Sequence, residues 1–282
     1  MKKTLFILSL VLLSKLSFSQ PPIQIEKNGD GNPIIFLPGF TSPGSVWDET
    51  IANLSITYET HVVSYAGFNG LEPIGTPWYE PIKTKLINYI KEENLSNLTI
   101  IGHSMGGNLA IELAAAFDEE ISGLILIESL PCMRDLMMPG VPASSLQYDS
   151  PYNNQMLNMP EDAFNNVALS MARNMTNKED KVEILAGWSV VADRKTYVYG
   201  YTDLLKLDLR PQLNDIQTKT LILGATFPSR EMSQQTFDKQ YGNLKNKTIE
   251  LADNSKHFIM FDRPEWLYSQ INNYLVKDVE QN

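Results

Sequence analysis

Chemistry concentrates in one pentapeptide, Gly102-His103-Ser104-Met105-Gly106. It follows the apolar run Leu98-Thr99-Ile100-Ile101 and precedes an Ala- and Leu-rich stretch over residues 105–117. That is G-x-S-x-G between a strand and a helix, the setting of a nucleophile elbow. The pentapeptide alone would also fit a serine in a structural tight turn; the strand before it and the helix behind it favour the nucleophile. The glycines have a steric reason, since so sharp a turn leaves no room for a Cβ beside the serine. The helix N-terminus behind Ser104 favours negative charge in front of it.

A serine hydroxyl attacks only when a neighbouring base takes its proton. The chain has three histidines. His103 adjoins Ser104, and neighbouring residues in such a turn point apart. His61 begins a strand placed elsewhere in the sheet order. His257 follows the last apolar run, in Asn254-Ser255-Lys256-His257-Phe258. A loop after a parallel strand lies at the C-terminal edge of the sheet, where Ser104 also lies. Position and elimination make His257 the candidate base.

The elements that must hold these residues are legible as short apolar runs alternating with longer amphipathic ones. Pro33-Ile34-Ile35-Phe36-Leu37, His61-Val62-Val63-Ser64-Tyr65, Leu98-Thr99-Ile100-Ile101, Gly123-Leu124-Ile125-Leu126-Ile127, Thr220-Leu221-Ile222-Leu223 and Thr248-Ile249-Glu250-Leu251 read as six strands. Most are apolar at every position, which suits parallel strands covered on both faces. Helical patterns fill 78–92, 105–117 and 264–276. The expected class is α/β, a mostly parallel sheet flanked by helices. Residues 129–218 break the rhythm, with helical segments at 161–175 and 178–191 and no strand pattern. That is too long for a connection inside a compact sheet, and it reads as an inserted helical cap. The core would then be 20–128 with 219–282. Seven of the eleven methionines fall in the insertion, among them Met137 and Met138. Methionine suits a pliable apolar surface, and ordinary core filling as well.

Leu37-Pro38-Gly39-Phe40, the elbow Gly102-His103-Ser104-Met105-Gly106-Gly107, and His257-Phe258 with Asp262-Arg263-Pro264-Glu265 resemble the α/β-hydrolase superfamily over about residues 30–280. The resemblance implies the triad order serine, acid, histidine. It also implies an oxyanion hole from the backbone N–H groups of Phe40 and Met105, typically worth about 3–4 kcal/mol per donor. The acid departs from the common pattern. Most members carry an Asp after the strand preceding the histidine strand, but that segment here reads Gly224-Ala225-Thr226-Phe227-Pro228-Ser229-Arg230-Glu231. Other members draw the acid from the end of the strand before the cap, where this chain has Glu128. Glu128 is the favoured acid and Glu231 the alternative; a structural carboxylate would also fit Glu128.

A serine nucleophile disfavours the haloalkane dehalogenase and epoxide hydrolase branches, which form their ester on a carboxylate. Acyl transfer through an acyl-enzyme remains, on esters, lactones, thioesters or activated amides, with no metal or organic cofactor expected. Phe40, Met105, Phe258, Met260, Met137 and Met138 are expected to wall an apolar pocket for a small ester or lactone. An acyltransferase with the same triad, or a non-catalytic binding protein on this fold, would carry the same residues.

Composition bounds the rest. The chain has 282 residues, 43% hydrophobic and 20% charged, and a net charge of −10. These are globular values, and the acidity argues against nucleic-acid or anionic-membrane partners. One cysteine, Cys132, excludes an intramolecular disulfide. At the N-terminus Lys2 and Lys3, an apolar block from Leu5 to Leu13, and Ser17-Phe18-Ser19 read as a secretory signal over residues 1–19. The block is too short to span a bilayer. The mature chain is therefore expected in the periplasm or outside the cell.

Overall fold

A computed structural model describes residues 20–117 and 119–279; the expected signal segment, 1–19, lies outside them. Seven strands form one sheet: β1 (Ile23–Asn28), β2 (Pro33–Leu37), β3 (Glu59–Tyr65), β4 (Leu98–His103), β5 (Ile121–Ile127), β6 (Thr220–Ala225) and β7 (Lys247–Ala252). Their spatial order is β1-β3-β2-β4-β5-β6-β7. β1 runs antiparallel to β3, and every other pairing is parallel.

β1 is the strand that the apolar runs did not reveal. Its sequence, IQIEKN, buries only Ile23 and pairs along one side only, with β3. An edge strand needs no continuous apolar run, because much of its surface stays in water. The interior strands are mostly buried, and their side chains alternate between two cores. Ile35, Leu37, Ile100, Leu124, Leu126 and Ile222 face one; Ile34, Phe36, Ile101, Ile125, Ile127 and Leu223 face the other. The period of two sends neighbours to opposite faces, so helices on both sides are required.

Those helices are α1 (Asp48–Ala52), α2 (Tyr79–Glu92), α3 (Met105–Ala116), α9 (Arg230–Gln240), α10 (Ile259–Asp262) and α11 (Pro264–Val279). α2 buries Tyr79, Ile82, Leu86 and Ile90, spaced by three and four as a helical stripe demands. With α3 and α9 it covers the first core; Leu267 and Ile271 of α11 cover the second.

Between β5 and β6 the chain forms α4 (Met133–Met137), α5 (Pro151–Leu157), α6 (Glu161–Arg173), α7 (Glu179–Val191) and α8 (Arg194–Lys206), and no strand. Polar ties bind this segment to the rest. Asp203 accepts from the backbone N–H of Trp78 at 2.7 Å, and Asp193 N–H donates to Gly67 O at 2.8 Å. The buried Asp262 carboxylate accepts from Thr176 Oγ1 at 2.7 Å, and from the N–H groups of Asn177 and Lys256 at 2.8 Å. A buried carboxylate with three donors is well compensated. It joins the end of α6 to the loop carrying His257.

Candidate active site

Parallel register places the working residues. Leu37 of β2 pairs with Gly102 of β4, His103 with Ile127 of β5, and Ile127 with Leu223 of β6. The residues just beyond these ends, Gly39, Ser104, Glu128 and Ala225, therefore share one edge. All four line a cavity of about 420 Å³, together with His257.

Ser104 sits between β4 and α3 at φ 53° and ψ −120°. Its N–H donates to Ile127 O at 2.9 Å. The glycines around it are dictated by approach. A Cβ on Gly102 would lie 2.4 Å from Gly106 O, and one on Gly106 would lie 2.1 Å from Leu37 O. A Cβ on Gly39 would lie 2.8 Å from His103 Nδ1 and 3.3 Å from Ser104 Cβ. The loop after β2 thus rests directly on the elbow. The N–H groups of Phe40 and Met105 make no hydrogen bond to an acceptor among the described residues.

Backbone strain marks the same place. Seven non-glycine residues among those described have positive φ, and four are asparagines, which tolerate it. The other three are Thr41, Ser104 and Glu128, and all three line this cavity. Strained backbone persists where its surroundings over-determine it, and it clusters at functional sites.

Glu128, at φ 47°, ends β5. Its Oε2 lies 3.2 Å from His257 Nδ1, and its Oε1 accepts from Ala225 N–H at 2.6 Å. The backbone N–H of Glu128 donates to Leu223 O at 2.8 Å. The carboxylate is therefore fixed from both ends. Glu231 lies on the exposed face of α9, where it accepts from Gln235 at 3.3 Å, and it does not line the cavity. Ser104 Oγ and His257 Nε2 make no hydrogen bond to each other; such contacts commonly tighten only around substrate.

His103 was set aside at the sequence level, yet it supports the site. Its ring is fully buried, with its centroid 4.7 Å from that of His257. His103 Nε2 donates to the backbone carbonyl of His257 at 2.9 Å. A carbonyl only accepts, so the proton sits on Nε2 and the unpartnered Nδ1 is bare. Burial, and then the neighbouring His257, hold this imidazole well below the ordinary histidine range, so it is neutral. His61 pairs instead with Tyr89 and Glu59, remote from the site.

The walls are apolar. Phe40, Met105, Met137 and Phe258 line the cavity, whereas Met138 and Met260 do not. Met138 is the residue after α4, while Met133, Leu136 and Met137, one helical face, line the cavity. Met260 is packed into the second core from α10. Of the seven methionines in 129–218, Met133, Met137, Met171 and Met175 line the cavity; Met156 instead joins the first core. Sequence reasoning missed Trp188, Tyr197 and Tyr201, which complete the wall. Phe40 joins the two tyrosines at centroid distances of 5.7 and 5.9 Å. Burial pushes both phenols up to about 12, so they stay neutral. Among the described residues no group of three or more His, Cys, Asp or Glu could hold a metal ion. No described helix is long and apolar enough to cross a membrane.

Comparisons with known proteins agree with this architecture. A family model described as "Alpha/beta hydrolase family" matches residues 34–270. A pimeloyl-[acyl-carrier protein] methyl ester esterase of Shewanella woodyi is 29% identical over 203 residues, 69% of this chain and 75% of that protein. Among solved structures, an esterase from Exiguobacterium antarcticum superposes with a TM-score of 0.74 at 20% identity, covering 89% of this chain and 94% of its own. An enol-lactonase from Burkholderia xenovorans gives 0.73 at 13% identity, covering 90% and 96%.

Proposed function

Since the chain belongs to the alpha/beta hydrolase family, we propose that it hydrolyses a carboxylic ester or lactone through an acyl-enzyme on Ser104. One observation carries the reading. The strained Ser104 and Glu128, with His257 held by that carboxylate at 3.2 Å, converge on a single apolar cavity. The esterase name of the 29% identical relative supports the same reaction class.

The chemistry follows from the atoms. A proton on His257 Nδ1, facing Glu128 Oε2, leaves Nε2 with a free lone pair. Nε2 takes the Ser104 proton as Oγ attacks the substrate carbonyl carbon. The oxygen that becomes negative is received by the N–H groups of Phe40 and Met105, at the start of α3. Collapse expels the alcohol, which takes the proton from Nε2. Water repeats the sequence on the acyl-enzyme and releases the acid. Glu128 stays ionised throughout, holding the ring and stabilising the imidazolium. Its second oxygen, occupied by Ala225 N–H, prevents it from swinging away.

Helices α4 to α8 act as a cap that sets substrate choice, because Met133, Met137, Met171 and Trp188 on them, with Met175 just after α6, form cavity wall. Residues 1–19 direct export. Cell fractionation checks the second point. The function is tested by labelling with a fluorophosphonate, then assaying a panel of chromogenic esters and lactones. A label on Ser104 and turnover lost in Ser104→Ala support it; turnover unchanged in that variant refutes it.

A further inference from the structure

The cavity has a chemical bias beyond being apolar. Among the described residues, its lining includes no Lys or Arg, and its one carboxylate is Glu128. The cations on the surrounding elements have partners outside the lining. Arg134 donates to Leu205 O at 2.6 Å, and Lys239 pairs with Asp135 at 2.6 Å. Lys256 donates to Arg173 O at 2.7 Å, and its ammonium also lies 5.5 Å from the centroid of the Phe227 ring at the mouth. Arg194 lies 3.5 Å over the Phe164 ring and donates to Met156 O at 3.2 Å. The two tyrosine hydroxyls of the wall turn to sulfur, Tyr201 to Met137 at 3.3 Å and Tyr197 to Met171 at 3.8 Å.

The mouth repeats the pattern. Leu136 and Met137 of α4, and Phe227 and Met232 around the start of α9, line the cavity while remaining 55%, 54%, 49% and 56% exposed. Single exposed apolar residues are ordinary, but four on one rim, continuous with an apolar interior, make a contiguous path. A substrate entering there passes these four apolar side chains, with the Lys256 ammonium 5.5 Å from the centroid of the Phe227 ring.

From this we propose that the site selects uncharged acyl chains and rejects esters whose acyl chain ends in a free carboxylate. The inference rests on the ester-hydrolase reading above and adds the substrate class. A carboxylate taken past the mouth into this cavity loses its hydration, finds no Lys or Arg in the lining, and faces the negative Glu128. An unpaired buried charge is among the most costly groups to bind. A neutral chain of the same length loses only apolar hydration, which favours binding. The volume, about 420 Å³, falls within the roughly 300–1,000 Å³ usual for small-molecule sites. The discrimination therefore comes from charge rather than from size.

Three p-nitrophenyl esters separate charge from length: the octanoate, the half-ester of octanedioic acid, and that half-ester capped as its methyl ester. At pH 7.5 the free acid is ionised. The expected result is kcat/KM for the half-acid at least about 100-fold below that of the capped diester. Octanoate and diester should lie within about tenfold of each other. Leu136→Lys and Met232→Arg, each placing a cation on the exposed rim, should raise half-acid turnover relative to the diester by about tenfold. Half-acid and diester within threefold of each other would overturn the inference while leaving ester hydrolysis standing. A gap unmoved by both cationic variants would also overturn it, because charge would not be its cause. No turnover of any of the three, with Ser104 unlabelled by fluorophosphonate, would overturn the hydrolase reading and this inference together.

Discussion

Glu128→Gln keeps the shape of the side chain and removes one charge, and the structure limits how the amide can respond. In the first orientation Oε1 keeps the 2.6 Å contact with Ala225 N–H, and Nε2 replaces the oxygen 3.2 Å from His257 Nδ1. An amide N–H needs an acceptor there, so the imidazole proton moves to Nε2. That is the nitrogen that must receive the serine proton. The wrong tautomer and the lost charge together cost roughly 10⁴ in kcat in a comparable triad, or about 5.4 kcal/mol at 1.36 kcal/mol per decade. In the second orientation the amide flips and restores the tautomer, but sets two donors 2.6 Å apart at Ala225. Leaving that N–H unsatisfied costs about 1–3 kcal/mol, or roughly 5–150-fold, and the imidazolium still lacks its counter-charge. The expected loss in kcat is therefore between about 10² and 10⁴, with KM and the melting temperature little changed. Steady-state hydrolysis of p-nitrophenyl esters measures it, with thermal denaturation as the folding control. Glu231→Gln, on the exposed face of α9, should be near wild type. A Glu128→Gln enzyme within threefold of wild type would refute the role of this carboxylate. A crippled Glu231→Gln enzyme would transfer that role to the later position.

Other expectations follow from single geometric facts. Ser104→Ala and His257→Ala should each lower kcat by several orders of magnitude, and the double variant should be no worse, because the pair acts as one unit; additive losses would argue for separate roles. Gly106→Ala should destabilise the fold by at least about 2 kcal/mol in urea titration, because the new Cβ would lie 2.1 Å from Leu37 O; an unchanged midpoint would contradict that approach. Met137→Ala and Met171→Ala should change the preferred acyl length while Met138→Ala does not, since only the first two line the cavity; a chain-length panel on all three decides. The buried imidazoles of His103 and His61 are both held below the ordinary histidine range, chiefly by burial. Below about pH 6.5 the unfolded chain takes up protons that the folded chain does not. Stability should then fall on acidification by up to about 1.4 kcal/mol per pH unit for each group. The melting temperature measured from pH 7 to 5 should decline, and more shallowly in His103→Gln; a flat wild-type profile would refute it.

Local and periodic signals in the chain determined the sheet and the strand–helix turn that carries Ser104. The five interior strands are largely apolar because both of their faces are covered, and G-x-S-x-G between strand and helix is a local pattern with a local steric cause. Position after a parallel strand was enough to place His257 at the same edge as Ser104, because topology fixes which edge such loops occupy. Glu128 was legible as a carboxylate at a strand end, next to a later loop that lacks an aspartate. Its two hydrogen bonds, its positive φ and the removal of Glu231 to the surface appear only when β5, β6 and β7 lie side by side. The edge strand β1 escaped because one paired side and an exposed face leave no continuous apolar run. His103 escaped because its role depends on a carbonyl 154 residues away. The cavity walls divided the methionines by helical face: Met137 faces in, and Met138, one residue later, does not. Composition supplies the kind of surface, but only the packing of α4, α6, α7 and α8 over the sheet edge decides which side chains meet the substrate.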